Sequence, residues 1–458
     1  YYIYYINMDS RRELLQFQPT NIGRGGIFAP SRNGLQQVVF QIPKLPRVMM
    51  GRTLRINGEF DVFKADNSRP SNATNWNADT PNNNAIFIDG RIGVSSCIES
   101  LSIQNLKGAT YSNVKNYNRL LSAIVPLNQS FNNYINGCDD EYGNGKQITQ
   151  AKRCDKTQSF SIPILDGFFQ AENIDMDLVE GLVITLTLAP DNFVLSNNYW
   201  YNQNATQING AYYQMKNLIL SVETEIPSAQ GQEAMIANRT GAMVYKTYSS
   251  FYNVIVSNQH NLTFLFNTQK TSAIVGNLIP SEWLNNLQYN SSMTPQLLYK
   301  NANNVFNNNI KINAYTYQKS GVRVPYDFEI VSEETQEEGI ADSIKNMTEL
   351  NTIRDEWTMN NFLKSLKTEL SNPLSDLVPA RFDRLRYSIC EEDKEQVYLI
   401  GVNYDKNTAG VDYRNEVFGL RIQSELPAGQ PFEPHSLYLF VQAENTILFR
   451  DGMIQVIS

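Results

Sequence analysis

The sequence predicts an all-β protein built from a duplicated β-sandwich, with short helices inserted between strands. Two apolar segments at 181–188 and 212–225 are mirrored by a similar pair at 417–424 and 436–443. The chain has 458 residues, of which 42% are hydrophobic, so two or three domains are expected. Many short strands separated by turn signals favour a sandwich or jelly roll over a parallel-sheet enzyme.

The first half of the chain alternates apolar and polar residues, as half-buried strands do. The strands predicted there lie at 36–43, 52–63, 85–90, 96–105, 159–165, 179–190 and 212–225. Residues 112–124 place apolar side chains at helical spacing, and we expect a helix there. Residues 1–35 show no strand pattern and are predicted to be an amino-terminal arm, in which RRELLQF (11–17) forms a helical turn or two.

The second half resumes the β pattern after a linker predicted at 227–240, which contains PSAQGQE. The strands predicted there lie at 241–257, 261–269, 309–318, 326–332, 386–392, 396–405, 417–424, 436–443 and 453–457. A helical insert is predicted at 340–370 because apolar residues recur at three- and four-residue spacing. We expect its apolar face to pack on another subunit or on its own sandwich, and the face contains Ile344, Met347, Ile353 and Trp357.

The charge is unevenly distributed. The net charge of −8 argues against a protein that coats nucleic acid over its whole surface. Residues 1–55 are nevertheless basic, and the candidate interaction residues in the arm are Arg11, Arg12 and Arg24. A basic arm is expected to bind an acidic surface, a nucleic acid or an anionic membrane. The alternative is a solvated tail ordered only by its own subunit.

No catalytic, cofactor-binding or metal-binding residue is predicted, and we expect the protein not to be an enzyme. No nucleophile elbow, zinc-protease motif or phosphate-binding loop is present, and the two histidines, His260 and His435, lie beside strand starts. The acidic clusters at 139–141 and 391–393 lack the spacing of a calcium loop. The cysteines lack CxxC spacing, which suits a reducing compartment, and only Cys138 and Cys154 flank one loop and could pair if oxidised.

The segment SFSIPILDGFF to VEGLVITLTLAP (159–190) resembles a signature of double jelly-roll major capsid proteins. The end of the chain, QVYLIGVNYD to IQVIS (396–458), resembles the carboxy-terminal jelly roll of capsid proteins from Polinton-like viruses, adintoviruses and virophages. The resemblance implies two consecutive eight-stranded jelly-roll β-sandwiches with short helical insertions, at 36–226 and 241–458. Superposing these two ranges is expected to match eight strands in the same order.

The resemblance also implies a homotrimer that forms a pseudo-hexagonal capsomer and tiles an icosahedral shell. The expected partners are neighbouring capsomers, minor capsid and penton proteins, and an internal membrane or the genome through the arm. The protein is expected in the virion and is made in the host cell, without a secretion signal.

Two other functions stay open at this point. One is a trimeric spike, fibre or carbohydrate-binding β protein, whose aromatic residues stack on sugars; the candidates are Tyr199, Trp200, Tyr201, Tyr212 and Tyr213. The other is a β-sandwich hydrolase that uses paired carboxylates.

Overall fold

The computed structural model describes the greater part of both halves of the chain, and every structural statement below concerns these residues. They are 11–22, 26–32, 34–70, 86–88, 92–121, 152–153, 156–170, 173–195, 210–237, 240–257, 259–281, 311–324, 330–331, 399–404, 410–425, 434–450 and 453–457.

The first half contains twelve described strands and short helices between them. The strands are β1 (Arg11–Phe17), β2 (Gln37–Ile42), β3 (Val48–Met49), β4 (Arg55–Phe63), β5 (Phe87–Ile88), β6 (Ile98–Gln104), β7 (Thr110–Lys115), β8 (Lys152–Arg153), β9 (Gln158–Pro163), β10 (Ile174–Asp175), β11 (Leu182–Leu188) and β12 (Tyr212–Ile226). The helices are α1 (Gly167–Gln170), α2 (Asp191–Val194) and α3 (Ala229–Ala237), with 3₁₀ turns at Gly51–Thr53 and Gly93–Cys97.

The second half contains ten described strands. They are β13 (Gly241–Ile255), β14 (Gln259–Phe264), β15 (Thr271–Pro280), β16 (Lys311–Lys319), β17 (Val322–Arg323), β18 (Ile330–Val331), β19 (Leu399–Asn403), β20 (Phe418–Glu425), β21 (His435–Arg450) and β22 (Met453–Ile457).

The two halves repeat one topology. In the first half, the sheet β1-β12-β4-β9 packs against the sheet β2-β11-β6-β7. In the second half, β13-β21-β15-β19 and β14-β20-β16-β17 have the same order, and the chain visits the two sheets in the same sequence. Every pairing between these strands is antiparallel. The fold is therefore two consecutive jelly rolls with short helical insertions.

Alternation in the sequence places the cores between the sheets. In β11, Leu182, Ile184, Leu186 and Leu188 are buried while the residues between them are partly exposed. Successive side chains of a strand point to opposite faces, so this pattern gives one apolar face to each sheet. The predicted strands at the centre of both sandwiches are thus explained by burial of one face.

The strand β21 is an exception, because both of its faces are buried along its first nine residues. Leu437, Leu439 and Val441 belong to the core of the second sandwich. Tyr438 and Phe440 point the other way and belong to the cluster that contains the core of the first sandwich. One face of β21 therefore packs in the core of the second sandwich. The other face packs towards the first sandwich and forms an apolar layer that the two sandwiches share.

Several predictions about local structure were wrong. The segment 11–17 is the strand β1 and not a helical turn, because all seven residues pair with β12 and because Leu15 and Phe17 pack on the core. The prediction that residues 1–35 contain no strand was therefore wrong, and the eight-strand match begins at Arg11 and not at residue 36.

The predicted helix 112–124 is also corrected. Residues 112–115 belong to the strand β7, and only residues 117–121 are helical in the described part. Asn116 separates them with a φ of +53°, a conformation that asparagine tolerates.

Two further elements differ from the sequence prediction. The predicted linker 227–240 contains α3, in which Ser228 Oγ accepts a hydrogen bond from Gly231 N as an amino-terminal cap does. The strand β15 was not predicted. The division of the chain into domains at 227–240 stays a prediction, and the helical insert 340–370 lies outside the described residues.

Candidate functional site: the joint between the two sandwiches

The joint between the two sandwiches is formed by β7 and α1 of the first and β13 of the second. Tyr245 on β13 is buried, and its hydroxyl donates a hydrogen bond of 2.5 Å to the carbonyl oxygen of Tyr111 on β7. The ring of Phe168 stacks on Tyr111 at 5.1 Å and meets Tyr245 edge-on at 5.5 Å. Such aromatic contacts stabilise beyond the area they bury, so the joint is apolar and specific in orientation.

A buried carboxyl group lies beside these rings. Ser112 Oγ donates a hydrogen bond of 2.7 Å to Asp166 Oδ2, and Phe168 N donates one of 2.9 Å to Asp166 Oδ1. Thr247 Oγ1 lies 2.7 Å from Ser112 Oγ. Because the Ser112 proton points to the carboxylate, the Thr247 hydroxyl donates to Ser112. The chain of hydrogen bonds therefore runs from the second sandwich to a carboxyl group of the first.

Burial makes the Asp166 carboxyl group harder to ionise than it would be in water. Burial raises the pKa of Asp166 to about 6, while the hydrogen bonds from Ser112 and Phe168 N act in the opposite direction. The same residue caps α1, since its Oδ1 accepts from Phe168 N, while its carbonyl oxygen accepts the first backbone hydrogen bonds of the helix, from Phe169 N and Gln170 N. Asp166 thus joins the start of α1 to the joint.

Close backbone approach fixes the distance between the sandwiches at α1. A Cβ atom added to Gly167 would lie 1.5 Å from the carbonyl oxygen of Lys246 on β13. No side chain fits in that space, so glycine is required for α1 to approach β13 this closely.

A second contact between the sandwiches surrounds Arg119, which is buried in the helical residues 117–121. Its guanidinium carbon lies 5.3 Å from the ring centroid of Phe193 and 5.4 Å from that of Tyr438 on β21. A cation close to two aromatic rings is stabilised by the quadrupole of each. Arg119 therefore links the first sandwich to the shared layer at β21.

The predicted interaction residues are only partly within the described residues. Arg11 and Arg12 are exposed on β1, at the edge of a sheet and not on a separate arm. Arg24 lies outside the described residues, as do Ile344, Met347, Ile353 and Trp357. The structure brings neither Arg11 nor Arg12 into the joint, and the roles of all seven residues stay predictions.

The candidate sugar-stacking residues are corrected in part. Tyr212 and Tyr213 are buried on β12, where Tyr213 donates a hydrogen bond of 2.6 Å to the carbonyl oxygen of Ala189. Neither ring is available to a sugar. Tyr199, Trp200 and Tyr201 lie outside the described residues.

Across the described ranges, no three His, Cys, Asp or Glu side chains come together as metal ligands would. His260 Nδ1 lies 3.3 Å from Ser257 Oγ, and His435 is buried at the start of β21. The acidic clusters 139–141 and 391–393 and the pair Cys138 and Cys154 lie outside the described residues. No described helix is long and apolar enough to span a membrane.

Sequence reasoning missed the joint. The pair Asp166-Gly167 follows a strand and indicates a turn, but nothing in the local sequence shows that a second sandwich packs there. Ser112 and Thr247 are 135 residues apart, so their contact depends on the tertiary fold.

Comparison with known proteins agrees with the topology. No family model and no curated protein matches the chain. Solved structures match over nearly the full length. The PBCV-1 capsid protein VP54, fitted into a reconstruction of the virophage Sputnik, is 10% identical with a TM-score of 0.56, covering 98% of this chain and 96% of that chain.

Two further capsid structures match similarly. The Faustovirus major capsid protein is 9% identical with a TM-score of 0.55, covering 96% of this chain and 91% of that chain. A chain of the Sputnik virophage structure is 11% identical with a TM-score of 0.51, covering 97% of this chain and 88% of that chain. The chain therefore has the double jelly-roll fold of these viral major capsid proteins.

Proposed function

We propose that this protein is a major capsid protein, a structural building block of a virus shell and not an enzyme. The observation that carries the proposal is the repetition of one eight-strand order in both halves, together with the match to capsid proteins along nearly the whole chain. A joint with buried aromatic rings, a tight glycine contact and an enclosed carboxyl group supports this proposal, because it holds two sandwiches as one block.

The assembly proposed is a homotrimer in which six sandwiches form a pseudo-hexagonal capsomer, and capsomers tile an icosahedral shell in the virion. Neighbouring capsomers and the minor capsid and penton proteins are the proposed further partners. The support is the fold shared with capsid proteins, since a duplicated sandwich presents two similar blocks per chain.

The proposed contact of the amino-terminal region with an internal membrane or the genome needs revision. Arg11 and Arg12 belong to β1 and are exposed, so their charges lie at a sheet edge of the first sandwich. We keep the proposal of an acidic partner for these two arginines. Charge reversal at both, Arg11→Glu with Arg12→Glu, is expected to weaken binding of purified protein to anionic vesicles or DNA in a salt-dependent way.

Two measurements test the capsid proposal. Light scattering on purified protein of 52.1 kDa per chain is expected to give a mass three times as large. Electron microscopy of concentrated protein is expected to show hexagonal lattices or closed shells. Monomers that form no lattice under any assembly condition would contradict the proposal, and a trimer without lattice formation would favour the spike or fibre.

A further inference from the structure

The joint inside the chain has two counterparts, one in each sandwich, that no other described strand covers. The strand β1 has the same place in the first sandwich as β13 in the second, because each pairs with the equivalent long strand of its sandwich: β1 with residues 220–226 of β12, and β13 with β21 along almost its whole length. Among the described residues, β12 is the only strand that pairs with β1. Likewise β17 lies at the outer edge of its sheet, as β7 does, but no described strand packs across it as β13 packs on β7.

The side chains that close the internal joint have partly exposed apolar equivalents on β1. Tyr245 and Thr247 are buried on one side of β13. Further along the strand, that same side faces the core of the second sandwich. On the corresponding side of β1, Leu15 and Phe17 pack on the core of the first sandwich but are only half-buried. The internal joint thus buries these side chains of β13, whereas the corresponding side chains of β1 stay partly exposed.

The opposite side of each strand behaves differently. Val244 on β13 is 54% exposed although the internal joint is formed, and Leu14 on β1 is 56% exposed. A contact of the same kind on β1 would therefore cover Leu15 and Phe17 and leave Leu14 in solvent. This difference separates a repeated joint from unspecific association through any exposed apolar residue.

The second half of the joint also has an open equivalent. Ser112 pairs with Ile103 across the ladder from β7 to β6, and Val324 N donates to the carbonyl oxygen of Tyr317 on β16. Ile103 and Tyr317 hold equivalent places, because each pairs with the third residue of the central strand, β11 or β20. Val324 is therefore the counterpart of Ser112, and it is half-buried where Ser112 is buried.

The chemistry of the two open surfaces is matched. The internal joint pairs two hydroxyl groups, Thr247 with Ser112. At the open counterparts, both sides are apolar: Leu15 and Phe17 on β1, and Val324 after β17. Burying apolar side chains against each other is favourable, whereas pairing either with a hydroxyl would bury an unsatisfied polar group. The two open surfaces suit each other better than either suits the internal joint.

We propose that β1 of one copy of the chain docks on the β16–β17 hairpin of a second copy, repeating the internal joint between subunits. Leu15 and Phe17 then cover Val324, as Tyr245 and Thr247 cover Ser112. The inference rests on the proposed homotrimer for its partner. A head-to-tail contact that closes after three chains gives a ring of six sandwiches with a like joint between every neighbouring pair.

Disulfide trapping tests the contact. Val324→Cys is combined with Phe17→Cys, with Leu15→Cys or with Leu14→Cys, and each protein is oxidised with diamide and run on a non-reducing gel. Two thiols join only when their Cβ atoms lie about 4 Å apart. The first or second pair is expected to shift the chain from 52.1 kDa to about three times that mass, and the Leu14 pair is expected not to shift.

Internal and single-cysteine controls calibrate the experiment. The pair Ser112→Cys with Thr247→Cys lies across the internal joint and is expected to form a bond within one chain, without a change in mass. Each single variant reports any reaction with the native cysteines Cys97, Cys138, Cys154 and Cys390. Light scattering of each reduced variant confirms that the oligomer is intact.

The outcomes separate the inference from the proposed function. Trimers that give no covalent product with Phe17 or Leu15, or that give as much with Leu14, would overturn the docking of β1 and leave the capsid proposal standing. A protein that is monomeric in its unmodified form would contradict the trimer and the docking together. Covalent trimers from Phe17 or Leu15 alone would support both.

Discussion

Replacing Asp166 by asparagine is expected to change how the stability of the protein depends on pH. In the folded protein the carboxyl group is buried at the joint, where burial raises its pKa from 3.8 to about 6. The asparagine side chain in the Asp166→Asn variant would keep an oxygen that accepts from Phe168 N and would keep good capping of α1. It would carry no charge into the joint.

The sign follows from the direction of the shift. Well below pH 3.8 the acid is neutral in both the folded and unfolded protein, so it contributes no pH dependence there. As the pH rises from about 4 to about 6, the unfolded chain ionises first, and the free energy of unfolding falls. A shift of about 2 pKa units corresponds to about 3 kcal/mol, which the wild type lacks above pH 6 and the variant retains.

Urea unfolding between pH 4 and pH 7.5 measures this effect. Other carboxyl groups titrate in the same range, so the quantity compared is the difference between variant and wild type at each pH. That difference is expected to move in favour of Asp166→Asn by about 2 kcal/mol between pH 4 and pH 7, because the unfolded acid is already partly ionised at pH 4. Asp166→Ala serves as the control, because it removes the charge but also the acceptor for Phe168 N and Ser112.

A difference between Asp166→Asn and wild type that stays constant with pH would refute the reasoning. So would a difference that moves in favour of the wild type as the pH rises. Either result would mean that the joint opens to water, or that Asp166 is neutralised by a group outside the described residues.

Two other changes in the joint test its packing. Gly167→Ala places a Cβ against the carbonyl oxygen of Lys246 and is expected to cost about 1–3 kcal/mol or more in urea unfolding, whereas Gly419→Ala, which meets only a side chain, should cost less. Tyr245→Phe removes the donor to the carbonyl oxygen of Tyr111, and the free energy of unfolding is expected to fall by about 1–3 kcal/mol. The joint as described would be contradicted if Gly167→Ala and Gly419→Ala lowered the free energy of unfolding equally, or if Tyr245→Phe did not lower it.

Strand alternation made most of the fold predictable, but not its beginning. The apolar positions of β11 alternate without interruption, so its burial follows from the sequence. In β1 the residues Leu14 and Leu15 are adjacent, and Leu14 is exposed because successive side chains of a strand point to opposite faces and only Leu15 faces the core. Two adjacent leucines suit a helix as well as a strand, so only pairing with β12 decides between them.

The joint could not have been predicted, because the local sequence around its residues is equally compatible with other secondary structures. Val114 is buried in β7 and Tyr117 is buried in the helical residues that follow, so one apolar run fits a single helix in the sequence and two elements in the structure. Asp166 before a glycine indicates a surface turn by composition alone. Its burial arises from β13, which is remote in the chain, and tertiary packing overrides the local signal.

The position of β1 also changes what a truncation of the amino terminus tests. Deleting residues 1–30 removes Arg11–Phe17 and uncovers the edge of β12 from Leu220 to Ile226. The seven-residue ladder and the packing of Leu15 and Phe17 are lost together, so the first sandwich is expected to lose stability. An assembly defect in that variant would reflect a damaged sandwich and would say nothing about a separate arm.

Deleting residues 1–10 keeps β1 and isolates the residues that precede it. Thermal unfolding of this variant is expected to match the full chain, whereas deletion of 1–30 is expected to lower the unfolding temperature. Shell assembly is then compared by electron microscopy. Normal shells from the shorter deletion would remove residues 1–10 from the proposed contacts with membrane or genome, and equal stability of the two deletions would contradict the place of β1 in the sheet.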